Sequence, residues 1–363
     1  MNYPFINIIG LMTGTSMDGI DISLVKTNGI ALKRLNKNFY YKYSYKTKKI
    51  LDDILKTDIN INLKKKRFLD EFITKEHYSA LKDLDIVQNC DLIGFHGQTI
   101  YHNPRNKISI QLGDPTKLAK LLNKDVIFNY RSDDIESGGQ GAPLAPIYHK
   151  FIVENLKLEL PCCILNIGGI SNITYWDGKE LIGFDTGPGN ALMDEYMSYV
   201  FNQNFDRDGS IAAKGTPNEK EIKKMLQHDF FRILPPKSLD RQEFNPQYNE
   251  LVNKKYSVYD TMATLAEFTI ETIVRSLNLL PKEIKSILIT GGGCRNIHLM
   301  DRLKNKLKMK IFNEKQIGIN FDYIEAELIA YLSARSIYKL PFTFPSTTGV
   351  SKPSSGGKLY KYL

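Results

Sequence analysis

The stretch Leu181-Ile-Gly-Phe-Asp-Thr-Gly-Pro-Gly-Asn190 decides how the rest of this 363-residue chain is interpreted. It starts as an apolar run, which predicts a buried strand, and breaks into a glycine-rich turn around one carboxylate, Asp185. The residues after the turn have helical character, so we expect outward-facing amide N–H groups that suit a phosphate or another anion. The alternative is an ordinary strand-to-helix connection in which Asp185 only caps the helix.

A second stretch of this kind lies near the N-terminus. An apolar strand, Phe5–Met12, ends in Thr13-Gly-Thr-Ser-Met-Asp-Gly19, and strand alternation resumes at Ile20. Asn28-Gly29 then signals a hairpin and a third antiparallel strand. The small, hydroxylated loop predicts phosphate binding, with Asp18 holding Mg²⁺ directly or through water. An ordinary hairpin turn is the alternative.

The second half of the chain repeats this arrangement. Cys162–Gly169 is an apolar strand with a glycine turn, Ile173–Trp176 returns, and Asp177-Gly178 leads into the strand that carries Asp185. The match lies in the pattern of strands and turns, not in residue identity. It predicts a duplicated α/β domain closing on a central cleft, divided into residues 1–145 and 146–363.

Two more strands end in residues that can face a ligand. Asp91–Phe95 is followed by His96, Gly97 and Gln98, and we expect substrate contact there, although a lone histidine is commonly a structural donor. Ile284–Thr290 ends in Gly291-Gly-Gly293, where a flat adenosine ring or a phosphate can approach the backbone. A close strand–helix junction would explain the glycines equally well.

Two charged residues stand out without a glycine turn. Arg131 is a candidate carboxylate clamp, but a salt bridge to Asp133, Asp134 or Glu136 accounts for it as well. Glu325 opens the last long helix, where an acidic residue commonly only compensates the helix dipole. Beyond that helix we expect an extended tail that is mobile from Pro353 onward.

Composition limits the class of protein. A hydrophobic fraction of 42% suffices for two domains, and no apolar run is long enough to span a membrane. The N-terminus lacks the pattern of a signal peptide, and the four cysteines show neither metal-ligand spacing nor a disulfide framework, so we expect a cytoplasmic protein. Its net charge of +9 comes from scattered lysines, which predicts no nucleic-acid partner.

Taken together, several motifs closely resemble the anhydro-N-acetylmuramic acid kinase family over nearly the whole chain. They are Gly14-Thr-Ser-Met-Asp-Gly-Ile-Asp21, Gly94-Phe-His-Gly-Gln-Thr99, Arg131–Pro143, Asn166–Asn172, Phe184–Asn190 and Gly291–Gly293. The resemblance implies two ribonuclease H-like domains of the sugar kinase, Hsp70 and actin type. It also implies an ATP- and Mg²⁺-dependent enzyme of peptidoglycan recycling that converts 1,6-anhydro-N-acetylmuramic acid and water into N-acetylmuramic acid 6-phosphate.

Site residues follow from the resemblance and from the patterns above. The resemblance implies that Asp185 is the catalytic base and that Glu325 matches an active-site glutamate. The residues expected to contact the sugar are His96, Gln98, Arg131 and Asp185 itself. The residues expected to contact ATP are Gly14, Thr15, Ser16, Met17, Asp18, Gly19, Ile20, Asp21, Gly168, Gly169, Gly187, Gly291, Gly292 and Gly293.

Two other functions are compatible with such a fold. One is a kinase acting on another sugar or a small carboxylate, with Asp185 activating a hydroxyl group instead of water. The other is an actin-like or Hsp70-like nucleotide switch, which would hydrolyse ATP slowly without a sugar. A small-molecule substrate is the expected partner, and the oligomeric state, with a homodimer as one option, is open.

Overall fold

The computed structural model describes residues 3–14, 17–56, 63–103, 106–240 and 243–363. The chain forms two compact units: Met1–Phe151 together with Asp322–Leu363, and Ile152–Phe321. This differs from the expected division at residue 145, because the C-terminal segment returns to the first unit. No helix within the described ranges is both long and apolar enough to cross a membrane.

Both units contain helices and strands. Up to residue 155 they are β1 (Ile6–Met12), β2 (Gly19–Thr27), β3 (Leu32–Lys42), α1 (Tyr45–Lys56), α2 (Leu63–Leu81), β4 (Leu92–Phe95), β5 (Gln98–Asn103), β6 (Ile108–Leu112), α3 (Pro115–Leu122), β7 (Val126–Phe128), α4 (Ser132–Glu136) and α5 (Pro146–Asn155). The second unit contains β8 (Cys162–Ile167), β9 (Ile170–Trp176), β10 (Leu181–Pro188), α6 (Ala191–Phe201), α7 (Glu219–Met225), α8 (Asn245–Val252), α9 (Val258–Leu277), β11 (Ser286–Thr290), α10 (Ile297–Lys306), β12 (Lys310–Phe312) and α11 (Glu314–Ile317). The returning segment forms α12 (Ile324–Ile337), α13 (Pro345–Thr348) and β13 (Lys358–Tyr360).

The two main sheets confirm the predicted duplication. The first has the order β13-β7-β4-β1-β2-β3 and the second β10-β9-β8-β11-β12. In each, three antiparallel strands are followed by strands parallel to the first of them. If the strands of each sheet are numbered in chain order, both sheets have the order 3-2-1-4-5, which is the ribonuclease H-like order. In the first sheet, β13 is added beside the fifth strand. The strands β5 and β6 form a separate hairpin.

The C-terminal tail is ordered, contrary to the expectation that it is mobile from Pro353 onward. Its last strand, β13, pairs antiparallel with β7, with Leu359 opposite Ile127. Before it, Thr343 forms a bridge with Ser354, and the side chain of Thr348 is buried. Pairing with the edge of the sheet gives the backbone of the tail its hydrogen bonds. The sequence of the tail alone does not indicate this partner.

Helix α12 approaches the first sheet very closely. A Cβ atom added to Gly10 of β1 would lie 1.9 Å from the carbonyl oxygen of Ala326 and 2.8 Å from the amide nitrogen of Ala330. Both neighbours are backbone atoms of α12, so neither can rotate away. The missing side chain at Gly10 is therefore what lets the helix lie on the strand.

We expect Gly10→Ala to lower the free energy of unfolding by about 1–3 kcal/mol, because overpacking forces the helix away from the sheet. Urea unfolding followed by circular dichroism measures the change. Gly292→Ala is the matched control, since the nearest atom to its added Cβ lies at 3.9 Å. Equal stability of the two variants would contradict this account of the packing.

Candidate active site

The loop between β1 and β2 is held by the start of β5. The hydroxyl of Thr13 donates to the carbonyl oxygen of Gly97 over 2.9 Å, and the side-chain amide of Gln98 donates to that of Gly14 over 3.2 Å. These bonds join the loop to the short connection that leads from the neighbouring strand β4 into β5. The predicted nucleotide-contact residues Thr15 and Ser16 lie outside the described residues.

Three carboxylates of the first unit act on a fourth, Asp21, which follows this loop in β2. Burial and the charges of Glu325, Asp18 and Asp322 together raise the pKa of Asp21 to about 7. Asp18 itself is exposed. The repulsion that acts on Asp21 favours a bound cation, which fits the predicted Mg²⁺. Among the described residues, no group of three or more potential ligands is close enough to form a metal site alone, so phosphate oxygens and water would have to complete it.

His96 and Arg131 are brought together, as their predicted common role requires. The Arg131 guanidinium donates to Nε2 of His96 from two nitrogens, at 3.3 and 3.2 Å. His96 therefore carries its proton on Nδ1, which donates to the Gly97 carbonyl over 2.9 Å. Burial, and then the Arg131 charge, lower the pKa of His96 to about 3, so the ring is neutral. Arg131 also donates to the Gly141 carbonyl, at 2.7 Å.

Glu325 lies in the first turn of α12, as predicted. Burial raises the pKa of its carboxyl group, and the positive charge of Arg131 opposes that shift. The structure thus places Glu325 within the electrostatic reach of both Arg131 and Asp21. The first unit therefore brings two other predicted site residues, His96 and Glu325, into one cluster around Arg131.

Two buried polar atoms in this cluster have no hydrogen-bond partner among the described residues: Oε1 of Gln98 and Nε2 of His102. Unpartnered buried polar atoms are uncommon and favour a ligand contact. Sequence analysis missed His102, because a single polar residue in a hairpin strand carries no signal. Burial and the charge of Arg131 lower its pKa to about 3.

In the second unit, the turn after β10 does not present its amides as expected. The N–H groups of Gly189 and Asn190 donate to the carbonyls of Gly169 and Gly168, both over 2.8 Å, and that of Ala191 donates to Gly169 over 3.2 Å. The prediction of outward-facing amides after β10 was therefore wrong for these three residues. Their partners lie about twenty residues earlier in the chain, beyond the reach of a local pattern.

Of the three glycines after β11, Gly291 and Gly293 pack closely against the end of β8, and only Gly292 has open space beside it. Gly291 has φ +83°, and a Cβ there would lie 2.4 Å from Oδ1 of Asn166. Gly292 is exposed, with no atom nearer than 3.9 Å to an added Cβ. The exposed Gly292 backbone has space for a flat ring beside it, and the nucleotide contact of these glycines stays a prediction.

Asp185 lies near the end of β10, an edge strand, and is 9% exposed. Its backbone N–H donates to the carbonyl of Lys237 over 2.9 Å, and its Oδ2 accepts from the N–H of Leu239 over 2.8 Å. The segment around Lys237 therefore completes the open edge of the sheet and fixes the carboxylate. A carboxylate oriented in this way can accept a proton from a bound reactant.

Comparison with known proteins gives a consistent result. The family model described as anhydro-N-acetylmuramic acid kinase matches residues 6–362. A protein of that name from Rhodopseudomonas palustris is 39% identical, covering 97% of this chain and 98% of its own. Another, from Bradyrhizobium diazoefficiens, is 37% identical, covering 96% and 97%.

Solved structures are similar at a greater distance. The activator of the 2-hydroxyisocaproyl-CoA dehydratase from Clostridium difficile, with bound ADPNP, has a TM-score of 0.44 at 12% identity and covers 92% of this chain and 97% of its own. A ROK family glucokinase from Streptomyces griseus, in complex with glucose and AMPPNP, has a TM-score of 0.39 at 11% identity, covering 90% and 97%.

We expect Arg131→Met to raise the pKa of His96 while leaving it below the usual 6.5, because the burial that lowers it persists. Nitrogen-15 NMR titration of the histidine rings measures this shift. Between pH 6.5 and about 3, His96 is protonated in the unfolded state but neutral in the folded state. His96 therefore lowers the free energy of unfolding as the pH falls through this range. In Arg131→Met the higher pKa of His96 in the folded protein narrows the pH range over which His96 lowers stability.

Arg232→Met is the control for this titration. Arg232 is exposed and pairs with Asp229 in the second unit, so its loss should leave His96 unchanged. An unaltered His96 pKa in a folded Arg131→Met variant would contradict the assigned contact.

Proposed function

Because the chain belongs to the anhydro-N-acetylmuramic acid kinase family, we propose that it opens 1,6-anhydro-N-acetylmuramic acid with water and phosphorylates it with ATP. The product is N-acetylmuramic acid 6-phosphate, formed in peptidoglycan recycling. The observation that carries the chemical assignment is the orientation of Asp185. Its Oδ2 accepts from the Leu239 amide, and its own backbone N–H donates to the Lys237 carbonyl.

Asp185 acts as the general base in this proposal. It takes a proton from the water that attacks the anomeric carbon, as the base of an inverting glycosidase does. The bond from that carbon to the bridging oxygen breaks, and this oxygen attacks the γ-phosphoryl group. One water and one phosphoryl group enter the sugar, ADP leaves, and the proton from water passes to Asp185 and then to solvent.

The residues from Gly14 to Asp21 bind phosphate groups in the proposed enzyme. Loop amides and hydroxyl groups neutralise charge where it develops during phosphoryl transfer. Mg²⁺, when bound, would be held by Asp18 with Asp21 nearby and would add further charge neutralisation. Gly168, Gly169, Gly187 and Gly291–Gly293 form the nucleotide-binding positions of the second unit.

The cluster around Arg131 binds the sugar. The guanidinium suits the lactyl carboxylate, and its hydrogen bonds to His96 fix its plane. The free oxygen of the Gln98 side chain accepts a hydrogen bond from a sugar hydroxyl or amide group. Glu325, whose burial favours the protonated form, hydrogen-bonds a reacting group beside Asp21.

Two further expectations belong to this proposal. A reaction that consumes ATP places the enzyme in the cytoplasm, which fractionation of cells tests. A homodimer stays a prediction, which sedimentation velocity tests.

The decisive experiment measures ADP release with ATP and Mg²⁺, with and without 1,6-anhydro-N-acetylmuramic acid, together with mass analysis of the sugar. A sugar-dependent rate and a product heavier by one phosphoryl group plus one water support the proposal. Oxygen-18 from labelled water should appear at the anomeric carbon. A product that gains phosphate alone, or ADP release that is independent of the sugar, would overturn it.

We expect Asp185→Asn to lower turnover by at least about 100-fold, because the amide cannot take the proton from water. ATP binding, measured by calorimetry, should stay nearly unchanged. Asp177→Asn is the matched control, since Asp177 lies in the turn before β10 and pairs with Lys282. Retained activity of Asp185→Asn would remove Asp185 from the role of base.

A further inference from the structure

Lys237 is a buried lysine in the irregular segment between α7 and α8. It is 3% exposed, and its ammonium group donates to the carbonyl of Phe230 over 3.2 Å. The same nitrogen lies 4.4 Å from the centre of the Phe230 ring and 6.0 Å from that of Phe231. Within the described ranges, no carboxylate forms a salt bridge with it. A buried ammonium without a carboxylate partner is costly, and one hydrogen bond together with cation–π contact offsets only part of that cost.

The backbone connects this cation directly to Asp185. The Lys237 carbonyl accepts from the Asp185 amide, and two residues later Leu239 donates to the Asp185 carboxylate. The segment that orients the carboxylate thus also carries the ammonium. An apolar side chain could fill this space without the cost of burying a charge. The charge of Lys237 therefore indicates a role beyond packing.

The charge of Asp185 acts on the Lys237 ammonium. Burial lowers the pKa of Lys237 to about 8, and the negative charge of Asp185 opposes that shift. Asp185 is the described titratable group whose charge acts on the ammonium. On the same segment, Asp240 follows Leu239, and His228 accepts the amide of Phe230 at its Nδ1.

We propose that Lys237 is a positioning residue that keeps Asp185 ionised through the field of its buried ammonium. This inference rests on the proposed role of Asp185 as general base. A cation in a site of low dielectric constant favours a neighbouring carboxylate over the carboxylic acid. Asp185 therefore reaches the form that accepts a proton at a lower pH than burial alone would allow.

Carbon-13 NMR of labelled aspartate tests the field directly, with the Asp185 signal assigned by its loss in Asp185→Asn. In Lys237→Met, which keeps the aliphatic stem, the pKa of Asp185 should rise by about one unit or more. Lys237→Arg, which keeps the charge, should restore much of the wild-type value. Lys282→Met, which removes the exposed partner of Asp177, should change nothing.

Enzyme kinetics provide the functional readout. The acidic limb of the kcat/KM profile should move to higher pH in Lys237→Met by the same shift as the carboxylate signal, while the profile of Lys282→Met stays in place. An unchanged Asp185 pKa in folded Lys237→Met would overturn the inference. Absence of any sugar kinase activity would refute the proposed function instead, and the NMR titration would still report on the pair.

If Lys237→Met does not fold, the wild-type protein supplies the test. Loss of the Lys237 proton near pH 8 should produce a second inflection in the chemical shift of the Asp185 carboxyl carbon. In Lys237→Arg that inflection should disappear, because the guanidinium stays charged. A wild-type carboxyl signal that is flat from about pH 7 to 10 would contradict coupling of the two groups.

Discussion

The packing of helix α12 against the bare backbone of β1 is the constraint on which the first unit depends. Because Gly10 has no side chain, the Ala326 carbonyl can lie where a Cβ would otherwise stand. The helix thus covers the middle of the sheet, and its first turn brings Glu325 within reach of Asp21. A segment more than 300 residues away in sequence completes the acidic side of the β1–β2 loop.

A buried ionic network fixes the same helix along its axis. Both carboxylate oxygens of Glu327 accept from Nε of Arg34 at 2.9 Å, and the Tyr148 hydroxyl donates to one of them at 2.5 Å. Loss of one partner would leave a buried charge uncompensated, so the network opposes sliding of the helix. Glu325 lies two residues earlier in the same helix, so its position depends on this register.

Local pattern explains which parts of this structure could be predicted. The alternation and turn signals of residues 5–43 and 162–188 depend on near neighbours, and they correctly predicted the antiparallel strands of both sheets. The return of residues 322–363 depends on contacts with the first strands, which no local signal contains. For the same reason the sequence indicated that Gly189 presents a free amide, whereas the structure pairs it with Gly169.

The Lys237 segment shows why the site itself is harder to predict than its strands. Two prolines, Pro235 and Pro236, make it look like an irregular surface excursion, yet Lys237 and Leu239 are both 3% exposed. An edge strand leaves every second amide unpaired, and at Asp185 the unpaired group must find an acceptor outside the sheet. A regular added strand would supply backbone bonds only, whereas an irregular segment can bind the amide and turn a second N–H towards the carboxylate. Irregularity at this point is therefore what orients the Asp185 carboxylate, and the orientation depends on packing that no pattern in the segment encodes.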